Sequence, residues 1–156
     1  MSIAIGLRVA PKVIYYSIVR SLSDDSYEVI VIDKIKIPEA LDDPRKLSYL
    51  RTTLLSIIME FEINKAGVRI AEGTAQSVSN FRIYLEGVIQ ELFANSSVEK
   101  YFLATKTKLA RCLNQTNQTI TDYIEGKNDF LGIPDIGKSH SEKRESILTA
   151  IASLEQ

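Results

Sequence analysis

The sequence predicts a mixed α/β sheet covered by helices, and three observations carry that prediction. Three β-branched runs open the chain, two amphipathic helical periods then alternate with shorter apolar runs, and a last helical period closes it. Strands that first form hairpins and afterwards alternate with helices give three antiparallel neighbours followed by parallel strands, five in all.

Ile3 to Val9 and Val13 to Val19 are the first two strands, and Ala10-Pro11-Lys12 between them is a short hairpin signal. Ser21 to Ser26 is a polar turn cluster. Tyr27, Val29 and Val31 on one parity, with Ile30 and Ile32 on the other, make a third strand running toward Pro38. Asp42-Asp43-Pro44 then starts a helix, with proline near its first position, and Leu47, Leu50, Leu54, Ile58 and Phe61 recur at helical spacing. Lys65-Ala66-Gly67 is read as its end, with glycine as the stop, and Val68 to Ala71 as strand four. Ser79 or Asn80 caps a second helix whose apolar face is Phe81, Tyr84, Leu85, Val88, Ile89, Leu92 and Phe93, and Asn95-Ser96-Ser97 ends it. Tyr101 to Ala104 is the fifth strand. From about 114 to 141 the Gln/Asn/Thr-rich stretch and then Gly126, Gly132, Pro134 and Gly137 interrupt any sustained period, so this part reads as a loop-rich excursion. Its Tyr123, Ile124, Phe130, Leu131, Ile133 and Ile136 are too apolar for a plain linker and require packing on the body or on a partner. Ile147, Leu148, Ile151 and Leu154 define a terminal helix from about 142.

A chain of 156 residues, 45% hydrophobic and 25% charged, is expected to fold as one domain over residues 1–156. Its net charge of −1 excludes coating of nucleic acid by bulk charge and leaves only a local basic patch for such contact. One cysteine, Cys112, excludes an internal disulfide framework and suits a reducing compartment. No basic leader with a long apolar stretch is present and no segment is apolar enough to span a bilayer, so the expected location is cytoplasmic. No glycine-rich phosphate loop, CxxC pair or dinucleotide fingerprint occurs, and a single histidine, His140, excludes a His-rich metal site.

Four stretches carry a resemblance to the ribonuclease H-like superfamily, and within it to the RuvC-type Holliday-junction resolvases. Ile5-Gly6-Leu7-Arg8 followed by Val13 to Val19 is similar to the family's opening hairpin. Arg69-Ile70-Ala71-Glu72 resembles its acidic fourth strand, and Phe81 to Gln90 the helix after it, with Gly87 where close packing favours glycine. Glu142-Lys143-Arg144-Glu145 and the apolar residues after it resemble the acidic opening of its last helix. The resemblance implies a five-stranded ribonuclease H-like mixed sheet with helices on both faces. It also implies a homodimer.

That family's chemistry uses two divalent metals about 4 Å apart to activate water and stabilise the leaving oxygen of a phosphodiester, and hard cations require converging carboxylates. The resemblance assigns Glu72, Glu142 and Glu145 as catalytic, metal-ligating acids, with Mg²⁺ or Mn²⁺ as cofactor if the site is active. The family's first-strand aspartate falls near Gly6 or Arg8, neither of which can ligate a metal, and an arginine there is free to pair with Glu72. Nothing beyond turn proximity supports Asp33, Asp42, Asp43 or Asp135 as a replacement. Each acid has a structural reading too: Glu72 as a solvated strand-end charge, Glu142 and Glu145 as first-turn acids favoured by the helix dipole. Lys106, Lys108 and Arg111 form a short basic stretch after strand five, which the resemblance assigns to nucleic-acid backbone contact and which also suits a solvated edge. His140 lies beside the acidic helix, either as a solvent-exposed loop residue or as a proton carrier in hydrolysis. The expected function is binding of structured DNA or RNA by a degenerate acidic site without efficient cleavage. The alternatives are a Mg²⁺/Mn²⁺-dependent, resolvase-like endonuclease, drawing a fourth ligand from the partner chain or the excursion, and a protein-interaction scaffold.

Overall fold

The computed structural model describes residues 1–70, 72, 79–133 and 140–156. Strands β1 (Ile3–Val9), β2 (Val13–Ser21) and β3 (Tyr27–Lys36) precede helix α1 (Asp43–Glu60), strand β4 (Lys65–Arg69), helix α2 (Asn80–Ala94) and strand β5 (Lys100–Ala104). Helices α3 (Lys106–Cys112), α4 (Asn117–Ile124) and α5 (Ser141–Leu154) complete the order. The sheet order is β3-β2-β1-β4-β5, with β1, β2 and β3 antiparallel neighbours and β1, β4 and β5 parallel. No helix among the described residues is long and apolar enough to cross a membrane.

Alternation along β1 decides what each sheet face does. Ile5, Leu7 and Val9 point to one side, where with Ile14, Ile18, Ala66 and Val68 they bury against Leu50, Leu54 and Ile58 of α1 and Leu85, Ile89 and Phe93 of α2. Gly6 and Arg8 therefore point to the other side, which α5 covers through Ile147, Ala150 and Ile151 against Val19. The approach of α5 is close because the sheet carries glycine and the helix only small residues where they meet. A Cβ on Gly6 would lie 2.1 Å from the Ser146 carbonyl oxygen and 2.2 Å from the Ala150 nitrogen. On Gly67 it would lie 2.7 Å from both Ser153 Oγ and a Phe102 ring carbon. Ser17 of β2 and Ser146 of α5 share a buried hydrogen bond of 2.6 Å across this layer.

The structure corrects several local expectations. Gly67 does not stop a helix: α1 ends at Glu60, Glu62 takes the left-handed turn (φ 52°), and Lys65 to Gly67 already belong to β4. The end of the expected fourth strand, Ala71, lies outside the described residues. A bulge opposite Ile18 and Val19 shifts the parity of β3, so Val31 joins the α1/α2 side together with Ile30, while Tyr27, Val29 and Ile32 face α5. Gly87 is not packed: a Cβ there would meet nothing within 4 Å.

The basic stretch and the excursion both contain helices. Thr105 caps α3 by accepting from the Lys108 amide at 3.2 Å, and Thr116 caps α4 by accepting from the Thr119 amide at 3.1 Å. Ile120, Tyr123 and Ile124 then bury with Leu109, Ala110 and Ala104 against Leu148 and Ala152 of α5. Arg144, wholly buried in α5, fastens the end of α4 and the turn after it: it donates to the Tyr123 and Asn128 carbonyls, pairs with Asp129 at 2.7 Å and stacks its guanidinium 4.2 Å from the centre of the Tyr123 ring. The expected packing of Tyr123, Ile124, Phe130, Leu131 and Ile133 is thus on the body. Asp135 and Ile136 lie outside the described residues.

Candidate functional site

The carboxyl ends of the three parallel strands lie side by side, since Arg8 of β1 is in register with Arg69 of β4, which is in register with Ala104 of β5. This end of an open α/β sheet is where ligands bind in such folds. Gly6 lies directly beneath the α5 backbone and is excluded from any site by sterics. Arg8, two residues on and on the same face, therefore stands where the missing first-strand acid was expected.

Arg8 pairs with Glu145 of α5, Nε to Oε2, at 2.7 Å, and not with Glu72 as the sequence suggested. The reason is the position of α5, whose second turn brings Glu145 over the end of β1. Arg69 reaches the same Glu145 oxygen at 3.4 Å through its Nε and Glu72 Oε1 at 3.3 Å through its Nη1. Its Nη1 also donates to the Ala104 carbonyl at 3.0 Å, tying β4 to the end of β5. The Glu145 oxygen thus lies between two guanidinium groups, but neither Nε–H is aligned on it as a hydrogen bond. The attraction is charge on charge in a half-closed site. Arg8 and Glu145 keep 20% and 13% of their side-chain surface exposed.

Glu72 is tied to the start of α3, its Oε1 accepting from the Lys106 amide at 2.9 Å. Burial raises its pKa, yet that amide, the Arg69 guanidinium and the Lys106 charge together hold it below the ordinary 4.5. Glu142 sits at the opening of α5, where its carboxylate accepts from the Ser141 hydroxyl at 3.3 Å. The three predicted acids are therefore not brought together as one cluster. Glu72 and Glu145 are linked through Arg69, whereas no ion pair among the described residues joins Glu142 to them. Among the described residues no three His, Cys, Asp or Glu side chains form a group able to hold a metal ion. The described donor set does not fit a divalent cation: Arg8 and Arg69 both take the Glu145 oxygen, and Arg69 takes Glu72 Oε1 as well.

Lys106, Lys108 and Arg111 all lie on α3, with Lys108 and Arg111 exposed three residues apart on one face and Lys106 half-buried beside Glu72. His140 is the exposed residue before α5 and makes no side-chain cap bond. Asp42 is consumed as the α1 cap, accepting from the Arg45 amide at 3.1 Å. Two participants went unread in the sequence. Arg69 had a signal, a charge on the sheet face of a short apolar strand. Arg82 of α2 had another, its spacing of four from Glu86, with which it pairs at 3.2 Å. Both Arg82 and Glu86 are largely buried, and the Arg82 pKa is lowered, first by burial and then by the Arg8 charge, against the pull of Glu86 and Glu145.

No family model matches the sequence, and no curated protein sequence matches it. Solved structures do. Thermus thermophilus RuvC superposes with a TM-score of 0.76 at 10% identity, covering 98% of this chain and 93% of that one. The same protein in complex with a Holliday junction substrate gives 0.72 at 10% identity, with the same coverage. The yeast mitochondrial Holliday junction resolvase Ydc2 gives 0.61 at 15% identity, covering 99% of this chain and 78% of that one. The chain has the RuvC-type, ribonuclease H-like fold, as the element order had suggested.

Proposed function

We propose that this chain binds structured nucleic acid, with a four-way DNA junction as the leading substrate class, and does not cleave it efficiently. The observation that carries the reading is the 2.7 Å ion pair between Arg8 and Glu145 at the carboxyl end of β1. A cation built into the chain there competes with any divalent metal for the Glu145 carboxylate, while α3 beside it keeps Lys106 half-buried and Lys108 exposed as positive charge. Two of the superposed structures, from T. thermophilus and fowlpox virus, are complexes with Holliday junction DNA, and they support the junction as the first substrate to test. In this reading Lys108 and Arg111 contact backbone phosphates, Glu72, Glu142 and Glu145 are what remains of an acidic site, and the working unit is a homodimer matched to a two-fold junction. Mg²⁺ or Mn²⁺ enters only the endonuclease alternative, in which Glu72, Glu142 and Glu145 would be catalytic.

The test pairs a binding and a cutting assay on the same samples. Fluorescence anisotropy with a four-way junction is expected to show salt-sensitive binding stronger than to duplex DNA of equal length. Isothermal titration of Mn²⁺ is expected to show no binding heat, and gels no strand scission. Mn²⁺-dependent scission abolished in Glu72→Gln would replace this reading with the endonuclease, and the absence of salt-sensitive binding to junction, duplex and single strands alike would favour the scaffold.

A further inference from the structure

We propose that the outer edge of β3 receives an extended segment of a partner protein, added to the sheet as a further strand, with acidic side chains over Lys34 and Lys36 and apolar ones toward α1. This docking edge is separate from the strand-end surface and does not depend on nucleic-acid binding. β3 spans ten residues at the end of the sheet order, and among the described residues no strand pairs with its outer side. Its ladder with β2 fixes which backbone groups are left over. Ile37 donates its amide to the Lys12 carbonyl at 3.0 Å, and antiparallel pairing turns the bonding groups inward at every second residue, so Ile35 and Asp33 also face β2. The backbone groups of Ile32, Lys34 and Lys36 therefore point outward. One of them already holds an acceptor: the Lys34 amide donates to the Asp33 carboxylate at 2.8 Å. Asp33 is exposed, so an arriving backbone carbonyl can take the place of its carboxylate.

Two different surfaces flank this edge, and they set the chemistry of the partner. On the α1 side, Tyr16, Asp33 and Ile35 of the sheet and Tyr49, Thr53 and Ile57 of α1 line a groove of 390 Å³. That lies within the roughly 300–1,000 Å³ of ordinary binding clefts. Its apolar wall is open to a visitor, since Tyr49 is 40% exposed. Lys34 and Lys36 project to the opposite face, in register with Tyr15 and Val13 of β2, and both are exposed. Neither has an ion-pair partner among the described residues. An added strand alternates its side chains between the same two faces, so it meets an apolar groove on one and two free ammonium groups on the other. The lysines also decide against a second copy of this chain. Antiparallel pairing of two β3 edges over residues 32–36 gathers both lysines of each copy on one face, where like charges on neighbouring strands are destabilising. A nucleic acid would satisfy the lysines but brings neither an amide backbone for the open ladder nor side chains for the groove.

The experiment uses the full chain, labelled with nitrogen-15, and two short synthetic peptides in which valine alternates with glutamate or with lysine. Shifts and hydrogen exchange of the Ile32, Lys34 and Lys36 amides are followed during each titration. The glutamate peptide is expected to shift these three amides saturably and to slow their exchange, and to bind about tenfold more tightly than the lysine peptide, since two cross-strand charge pairs change sign between them. Lys34→Glu/Lys36→Glu is expected to reverse the order of the two peptides, a result that a general loss of structure would not produce. Equal binding of both peptides, shifts confined to the lysine side chains, or no binding of either overturns the proposal. Protection of the three amides that rises with chain concentration alone overturns it in favour of a second copy. Their protection by single-stranded DNA and by neither peptide overturns it in favour of nucleic acid.

Discussion

Removing Arg8 leaves the half-buried Glu145 carboxylate with Arg69 as its remaining ion-pair partner among the described residues, across 3.4 Å and without an aligned hydrogen bond. Breaking a largely buried pair from one side costs more than deleting both members. Arg8→Ala should therefore lower stability by about 2–3 kcal/mol, toward the low end for buried pairs because both partners reach solvent, and Arg8→Ala/Glu145→Ala by less than the single change. Urea unfolding of the four corners of that cycle checks it, and a double variant no better than Arg8→Ala would remove the pair's significance. Glu72 makes a second residue-level prediction through pH. Its pKa is held below 4.5 in the folded chain, so its contribution to stability is fully present above the unfolded carboxylate range and is lost as pH falls through the depressed value. Glu72→Gln should accordingly cost stability at neutral pH and converge on wild type in acid. Parallel denaturation curves that keep a constant gap down to the acid transition would contradict this. The sequence showed that an arginine or glycine stood where an acid was expected. It did not show which acid the arginine answers, because that depends on how α5 lies across the sheet.

At the scale of elements, that position is set by two glycines, and the two differ in what a methyl group would strike. At Gly6 the obstacle is α5 backbone, the Ser146 oxygen and the Ala150 nitrogen, which cannot move without moving the helix. At Gly67 it is the side chains of Phe102, Ser153 and Thr149, which can rotate. Gly67→Ala is expected to cost about 1–3 kcal/mol, the ordinary range for overpacking, and Gly6→Ala to exceed it and to disturb the Arg8–Glu145 pair as α5 lifts. Thermal unfolding of both variants tests the order, and equal costs would mean the sheet yields in place of the helix. Long elements were legible in the sequence because their apolar periods are long: Leu50, Leu54 and Ile58 fix the buried face of α1 however its ends are drawn. Helices α3 and α4 were missed because each spans two turns or so in polar sequence. The usable signals were local, Thr105 and Thr116 each three residues before the amide it caps, and the spacing of Ile120, Tyr123 and Ile124. The misplaced helix stop at Gly67 had the opposite cause. A glycine needed for interlayer clearance looks the same in sequence as one needed for a turn.

For the whole molecule, the proposed function raises the question of how a chain of net charge −1 would hold a polyanion. Attraction must come from one face, since distant surface charges are screened within about 8–10 Å at physiological salt. The carboxyl end of the parallel strands supplies such a face. Arg8 and Arg69 stand there in register, α3 begins beside them, and its Lys108 and Arg111 are exposed. Element order was enough to foresee the fold, but this convergence was not foreseeable, because it joins residues from β1, β4 and α3 that lie far apart in sequence. Its consequence is quantitative. Junction affinity should fall with salt along a straight log–log line, and Lys108→Gln and Arg111→Gln should each reduce the steepness by about 0.9 while weakening junction and duplex alike, since phosphate contacts carry no sequence information. Exposed lysines elsewhere provide the comparison: Lys100, exposed at the amino end of β5, should leave the slope unchanged when replaced by glutamine. Slopes that respond equally to Lys100 and Lys108 would mean that binding is diffuse and that the strand-end face has no special part in it.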